Sequence, residues 1–164
     1  MQERLKIHVL SLHVLGNGDR CISSACLWSR LVTTVLTGLE SALDRLIPQF
    51  YERICADAIL GPIFTDAVAD WPAHHAQLID FWSSVMLTTG RYKGNPVAVH
   101  ARHRDRITPA MFDRWLAIWE QATEEMMPPA DARALQAKAA RIAESLKLAL
   151  FFKLPPHQSE ASNK

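Results

Sequence analysis

Apolar positions recur at helical spacing along most of this chain. Leu39, Leu43, Leu46, Ile47, Phe50, Tyr51 and Ile54 fall three and four residues apart, so they line one face of a helix that Pro48 interrupts or kinks. That helix is expected to end near Asp57. Gly61-Pro62-Ile63-Phe64 reads as a turn that throws an aromatic side chain inward, and Asp70 is placed to cap a second helix carrying His74, Leu78, Phe81, Trp82 and Val85. Gly90 and Gly94-Asn95-Pro96 close it. A short helical turn with Val97, Val99 and His100 follows, then a charged loop from Arg102 to Arg106 that should be solvated. Thr108-Pro109 is a cap and first-turn pair opening a helix whose Met111, Phe112, Trp115, Leu116, Ile118 and Trp119 are expected to be mostly buried. Pro128-Pro129 stops it. From about Asp131 to Phe152, Leu135, Ala139, Ile142, Leu146 and Leu150 form the cleanest amphipathic stripe in the chain.

With 6 Gly in the chain and no sustained apolar/polar alternation bounded by hairpin turns, strands have no support and the fold class reads as all-α. Residues 1–36 stand apart as an N-terminal extension: they hold the turn Gly16-Asn17-Gly18-Asp19, two cysteines, and no helical stripe that persists for three turns. No methionine lies between Met1 and Met86, so a start inside that extension would need a non-Met codon such as that of Val32 or Val35. The polar, proline-stopped stretch 155–164 reads as a frayed tail.

Composition narrows the picture mainly by exclusion. The chain has 164 residues, 49% of them apolar, which fits one globular domain. With 18 Lys+Arg against 17 Asp+Glu there is no basic face for a nucleic-acid backbone, so no nucleic-acid partner is expected. Three cysteines, Cys21, Cys26 and Cys55, cannot close a disulfide framework and lack a paired metal-binding spacing, which suits a reducing, cytoplasmic setting. The apolar stretch Leu5 to Leu15 holds His8 and His13; it is too short and polar to span a membrane, and Glu3 weakens it as a signal peptide. No membrane association is expected.

Phosphate loops, nucleophile elbows and His-Glu-x-x-His pairs are all missing, so the common motif-borne hydrolase and nucleotide chemistries lose support. Histidine among aromatics remains. Phe50-Tyr51 on the first helix, His74 with Leu78 and Trp82 on the second, and His100 before the Trp115 helix are three places that can converge in space. Taken alone, His100 is more often a surface or cap histidine than a ligand, and Tyr51 and Trp115 read by default as amphipathic core residues.

Their order along the chain adds more. Phe50-Tyr51-Glu52-Arg53, Leu60-Gly61-Pro62-Ile63-Phe64, Trp71 with His74 and Phe81-Trp82-Ser83-Ser84, Gly90-Arg91-Tyr92-Lys93-Gly94-Asn95-Pro96 with His100, and Phe112-Asp113-Arg114-Trp115-Leu116 together resemble the truncated haemoglobins of group III. The resemblance covers residues 37–154 and includes the last helix, Ala140-Arg141-Ile142-Ala143-Glu144-Ser145-Leu146 to Phe151-Phe152. The glycine pairs that mark the other two truncated groups are missing here, as they are from group III.

The resemblance implies a two-over-two helical globin fold binding haem b. By that resemblance His100 matches the proximal iron ligand, with a neighbouring carbonyl or water needed to fix which ring nitrogen binds. Tyr51 matches the distal tyrosine, Trp115 the distal tryptophan, whose indole is a donor only, and His74 the distal-helix histidine, a gate or donor. Phe64, Phe50, Leu78 and Trp82 match apolar walls of the cofactor pocket, and Tyr92 joins the cofactor-binding set. The basic loop from His100 to Ile107 departs from the family pattern and makes His103 a rival ligand, but His100 directly follows the family-like Gly-Asn-Pro run. Arg91, Lys93, Arg102 and Arg104 are candidates for the haem propionates or plain solvated charges. Cys55, one turn beyond Tyr51, is expected to be a small buried side chain. Trp71 and Trp119 are assigned to packing.

The expected function is reversible binding of oxygen, carbon monoxide or nitric oxide at ferrous iron. The alternatives are a redox haem enzyme acting on nitric oxide or peroxide with a separate reductase, and a helical interaction module without haem.

Overall fold

The structure is a computed structural model that describes the backbone of residues 24–152 and the side chains of residues 38–152. Among the described residues there are six α-helices and no strand: α1 (Ser24–Ala56), α2 (Gly61–Ala67), α3 (Trp71–Leu87), α4 (Pro96–Ala101), α5 (Pro109–Met126) and α6 (Pro129–Phe151). The expectations for the N-terminal turn and the C-terminal tail lie outside them. Helix α1 starts at Ser24, inside the stretch set apart as an extension. Leu27, Leu31 and Val35 lie four residues apart there, and the polar Thr33 and Thr34 that mask the stripe do not stop the helix.

Two helix pairs form the layers. Helix α1 packs on α3 and on α5, and α5 packs on α6. The α1 stripe supplies much of the interface, because Leu43, Leu46, Ile47, Phe50 and Ile54 are completely buried and recur on one face of the helix. Where the layers meet, three indoles stack: Trp82 of α3 on Trp119 at 4.6 Å and Trp119 on Trp115 at 5.3 Å, with interplanar angles of 13° and 14°. Phe50 presents its ring edgewise to both Trp115 and Trp119. Such pairs contribute roughly 0.5–1.5 kcal/mol each beyond burial, and here they tie three helices together.

The local signals explain the remaining boundaries. Asp70 caps α3 by accepting from the Ala73 N–H at 3.0 Å, with Pro72 in the first turn. The Gly61-Pro62-Ile63-Phe64 turn is instead the start of helix α2, since proline is tolerated in a first turn, where its missing N–H has no intrahelical partner to lose. The Asp57 carboxylate prepares that start by accepting from the N–H groups of Ile59 and Leu60, both at 3.0 Å. Gly61 is required there because a Cβ would run into the Cys55 backbone carbonyl. Thr108 sits at the N-cap of α5, although its hydroxyl makes no cap bond. Pro129 does not end a helix but occupies the first turn of α6. Between α5 and α6, the buried Thr123 hydroxyl donates to the Trp119 carbonyl and accepts from Gln136 Nε2 at 3.0 Å.

Asp57 also joins α5. The Arg114 guanidinium reaches both its oxygens, at 2.8 and 2.7 Å from Nε, and together with the two N–H groups holds the Asp57 carboxyl well below the usual carboxylate range. A depressed folded-state pKa stabilises above the unfolded value and is lost as pH falls. Asp57→Asn is therefore expected to lower the unfolding free energy by about 1 kcal/mol at pH 7, since the Arg114 side chain is half-exposed. The difference from wild type should close as pH drops below about 4, as urea titrations at several pH values would measure. Trp119→Ala should cost about 3–5 kcal/mol by the same assay, because it leaves a void at the centre of the stack.

Candidate functional site

Helix α4 is short, begun by Asn95, whose side chain accepts from the Ala98 N–H at 3.1 Å, and by Pro96 at its first position. One turn later His100 places Nδ1 2.7 Å from the Pro96 carbonyl oxygen. A carbonyl only accepts, so Nδ1 carries a proton, and Nε2 is the nitrogen whose lone pair is free in the neutral tautomer. The half-buried ring stacks on Phe112 of α5, centroids 6.0 Å apart at 28°. His103 lies three residues on, half-buried, with its backbone N–H on the His100 carbonyl.

Helix α5 connects this histidine to the second part of the site. Trp115 follows Phe112 by three residues, a rise of about 4.5 Å, and meets Phe50 edge to face at 5.0 Å. Tyr51, 5% exposed, is enclosed by Phe50, Phe64, Trp71, His74 and His75, with ring centroids 4.9, 5.7, 6.0, 5.4 and 6.0 Å away. Burial pushes its phenol far above the ordinary range, and a hydrogen bond with Trp115 works against that shift. The phenol therefore stays protonated, available as a donor. Burial also lowers the pKa of both His74 and His75, so neutral imidazole is favoured in each. Their Nε2 atoms are buried without a hydrogen-bond partner, an arrangement that costs stability unless something else satisfies them.

The other expected pocket residues divide into two groups. Phe64 packs on Tyr51, Leu78 is half-buried against the core, and Tyr92 meets Phe81 edge to face at 5.1 Å. Gly94 lets the Tyr92 ring lie across the backbone, where a Cβ would collide with it. Phe50 and Trp82 are fully enclosed one layer further in, against Trp119, and back the site from the core. Between α3, α4 and α6 runs an open groove of about 300 Å³, walled by Phe81, Val85, Pro96, Val97, Ile142 and Leu146 with Lys138 and Arg141 at its margin. A second groove, of about 430 Å³, lies between α1 and α5, and neither groove is lined by any of the expected site residues.

Arg91 is engaged by Glu40 at 2.6 Å and by Asp80 at 3.1 Å, which ties the loop after α3 back onto α1 and α3. Lys93, Arg102 and Arg104 are exposed. Cys55 is exposed as well, contrary to the expectation of a buried side chain: its carbonyl is packed against Gly61 but its thiol lies on the outer side of the last turn of α1. Sequence reasoning passed over His75 and treated Trp71 as packing, yet both belong to the Tyr51 enclosure. The adjoining histidines His74-His75 were the available signal.

No three His, Cys, Asp or Glu side chains converge on a metal position among the described residues. The single bare nitrogen of His100 therefore suits a metal that brings its other ligands with it, as haem iron does, and the unpaired imidazole nitrogens beside Tyr51 suit a polar guest. A family model for the bacterial-like globins matches residues 36–148. The chain belongs to that family. Among globins, it is 30% identical to the group 3 truncated hemoglobin ctb of Campylobacter jejuni over 87 residues, covering 51% of this chain and 68% of that protein. A crystal structure of a group III truncated hemoglobin from Campylobacter jejuni superposes with a TM-score of 0.63 at 27% identity, over 72% of this chain and 94% of that one. The globin family implies haem and diatomic gas ligands, and the residues of this globin fit that group. Among the described residues, no helix is long and apolar enough to cross a membrane.

An unpaired polar atom kept at a binding site trades stability for function. His74→Phe is expected to raise the unfolding free energy of the haem-free globin by about 1 kcal/mol, read from the midpoint of thermal or urea unfolding. A fall of similar size would mean that Nε2 is satisfied within the fold.

Proposed function

We propose that this globin holds haem b through Nε2 of His100 and reversibly binds oxygen, carbon monoxide and nitric oxide on the side of Tyr51 and Trp115. The observation that carries the reading is the Nδ1–H bond from His100 to the Pro96 carbonyl, which leaves one oriented, unprotonated nitrogen. When bound, haem would supply an iron able to take up a diatomic gas.

This chain's residues do the rest. The Pro96 carbonyl fixes the tautomer of His100, while Phe112 holds the ring plane by stacking. Tyr51, kept protonated by burial, would donate its O–H to a ligand atom that gains negative charge. Trp115 is a donor only and cannot accept the phenol proton, which is left for another acceptor. His74 adds a third polar group in the same enclosure. A redox haem enzyme acting on nitric oxide or peroxide is the second reading, favoured by this concentration of donors, which would polarise an O–O bond. It requires electrons from a separate reductase.

Titration with haem followed by reduction and carbon monoxide tests the reading. A saturable one-to-one Soret band that shifts with carbon monoxide is expected, and no specific band would reduce the protein to a helical module. His100→Ala should abolish tight haem binding and His103→Ala should leave it nearly unchanged; the reverse would move the ligand to His103. Tyr51→Phe should raise the oxygen off-rate by roughly tenfold to a hundredfold, as expected for a hydrogen bond to a partly charged acceptor, measured by stopped flow.

A further inference from the structure

Charge is unevenly spread over this nearly neutral chain. Most of the described lysines and arginines that make no ion pair with a described residue gather about α4. Lys93 stands just before the helix, Arg102 and Arg104 just after it, and Lys138 and Arg141 of α6 line a groove with its Pro96 and Val97. All five side chains are exposed, whereas Arg45 on α1 and Arg133 at the start of α6 are the other two without an ion pair. Asp105 is the exposed carboxylate among them.

The same face carries apolar side chains that the fold does not cover. Of the five large hydrophobic residues left exposed among the described residues, four are here: Val97 and Val99 on α4, and Leu148 and Phe152 at the end of α6, the exception being Ile59. Arg141, Ser145, Leu148 and Phe152 follow one another at four- and three-residue spacings, so the exposed apolar pair continues the stripe that borders the groove. Helix α4 packs on α6 and has no buried residue of its own. Val97 and Val99 lie about 200° apart around it, one on each flank.

We propose that this face of α4 and α6 docks on an anionic lipid surface, on which the protein lies without crossing it. Lipid phosphates match the five cations, and the upper acyl region takes the valines, Leu148 and Phe152. A fluid surface closes around both flanks of a protruding six-residue helix, which a rigid protein partner touches on one flank only. A second copy of the chain would bring the same cations face to face. A nucleic-acid backbone would satisfy the cations but press its phosphates against aliphatic side chains. The inference does not depend on haem being bound.

Co-sedimentation of the full chain, with haem and without it, tests the proposal on vesicles of phosphatidylglycerol and phosphatidylcholine in equal parts and on vesicles of phosphatidylcholine alone. Both forms should bind the anionic vesicles only, and less as salt is raised. Arg102→Gln, Arg104→Gln, Lys138→Gln and Arg141→Gln should each weaken binding by roughly fivefold, and Arg45→Gln should leave it unchanged. Leu148→Ser and Val99→Ser, exposed changes that should keep the unfolding midpoint of wild type, should also weaken it by roughly fivefold. Equal binding to both kinds of vesicle, or none by the haem-loaded form, overturns the proposal. So does a loss with the glutamine variants but none with Leu148→Ser and Val99→Ser, which would mean charge attraction alone. Binding to polyglutamate as tight as to anionic vesicles would assign the face to an acidic protein instead. A missing Soret band removes the haem reading and leaves this test in force.

Discussion

The architecture depends on one contact, the stack of Trp82, Trp119 and Trp115 with Phe50 set edgewise against it. Trp119 is 1% exposed and stands where α1, α3 and α5 come closest. Flat rings in parallel leave little freedom for sliding without losing dispersion contacts, so the stack fixes how far apart the layers sit and how the helices are rotated about their axes. That rotation decides which side chains of α1 and α3 face one another. Tyr51 follows Phe50 directly, and Trp115 precedes Trp119 by one turn, so the polar tips of the site are placed by the same rings that build the core.

The site is accordingly two half-sites on one ruler. Helix α5 touches His100 through Phe112 and touches Tyr51 through Trp115, and it is itself held to α6 by the Thr123 and Gln136 hydrogen bonds and to the α1–α2 corner by Arg114 and Asp57. Among the described residues four buried polar side-chain atoms have no hydrogen-bond partner: two lie beside Tyr51, at His74 and His75, and two lie in the core, at Ser83 and Trp119. A core optimised for stability alone would have apolar rings at the two histidine positions.

Much of this was legible in the sequence because it is local. The stripes of α1, α5 and α6 repeat at helical spacing, Asp70 and Asn95 cap by their own side chains, and the ordered motifs from Phe50 to Leu116 identify the family. What escaped was set by contacts between distant segments. Gly61-Pro62 looks like a turn until Asp57, steadied by Arg114, is seen to satisfy the N–H groups ahead of α2. Cys55 shares a face with Tyr51 by spacing, yet lies where the end of α1 has run past its neighbours. The early part of α1 was hidden for a local reason, its stripe being diluted by threonines.

Helix α4 has a consequence of its own. Six residues close only a turn and a half of backbone hydrogen bonds, far below the length at which a helix persists alone, so α4 borrows its order from α6. In a molecule whose other long helices are locked by stacked indoles, it is the segment that undocks at least expense. If His100 holds haem as proposed, the bound group would tie α4 to the rest of the fold at a second point, so that the order of α4 and retention of the cofactor would reinforce one another.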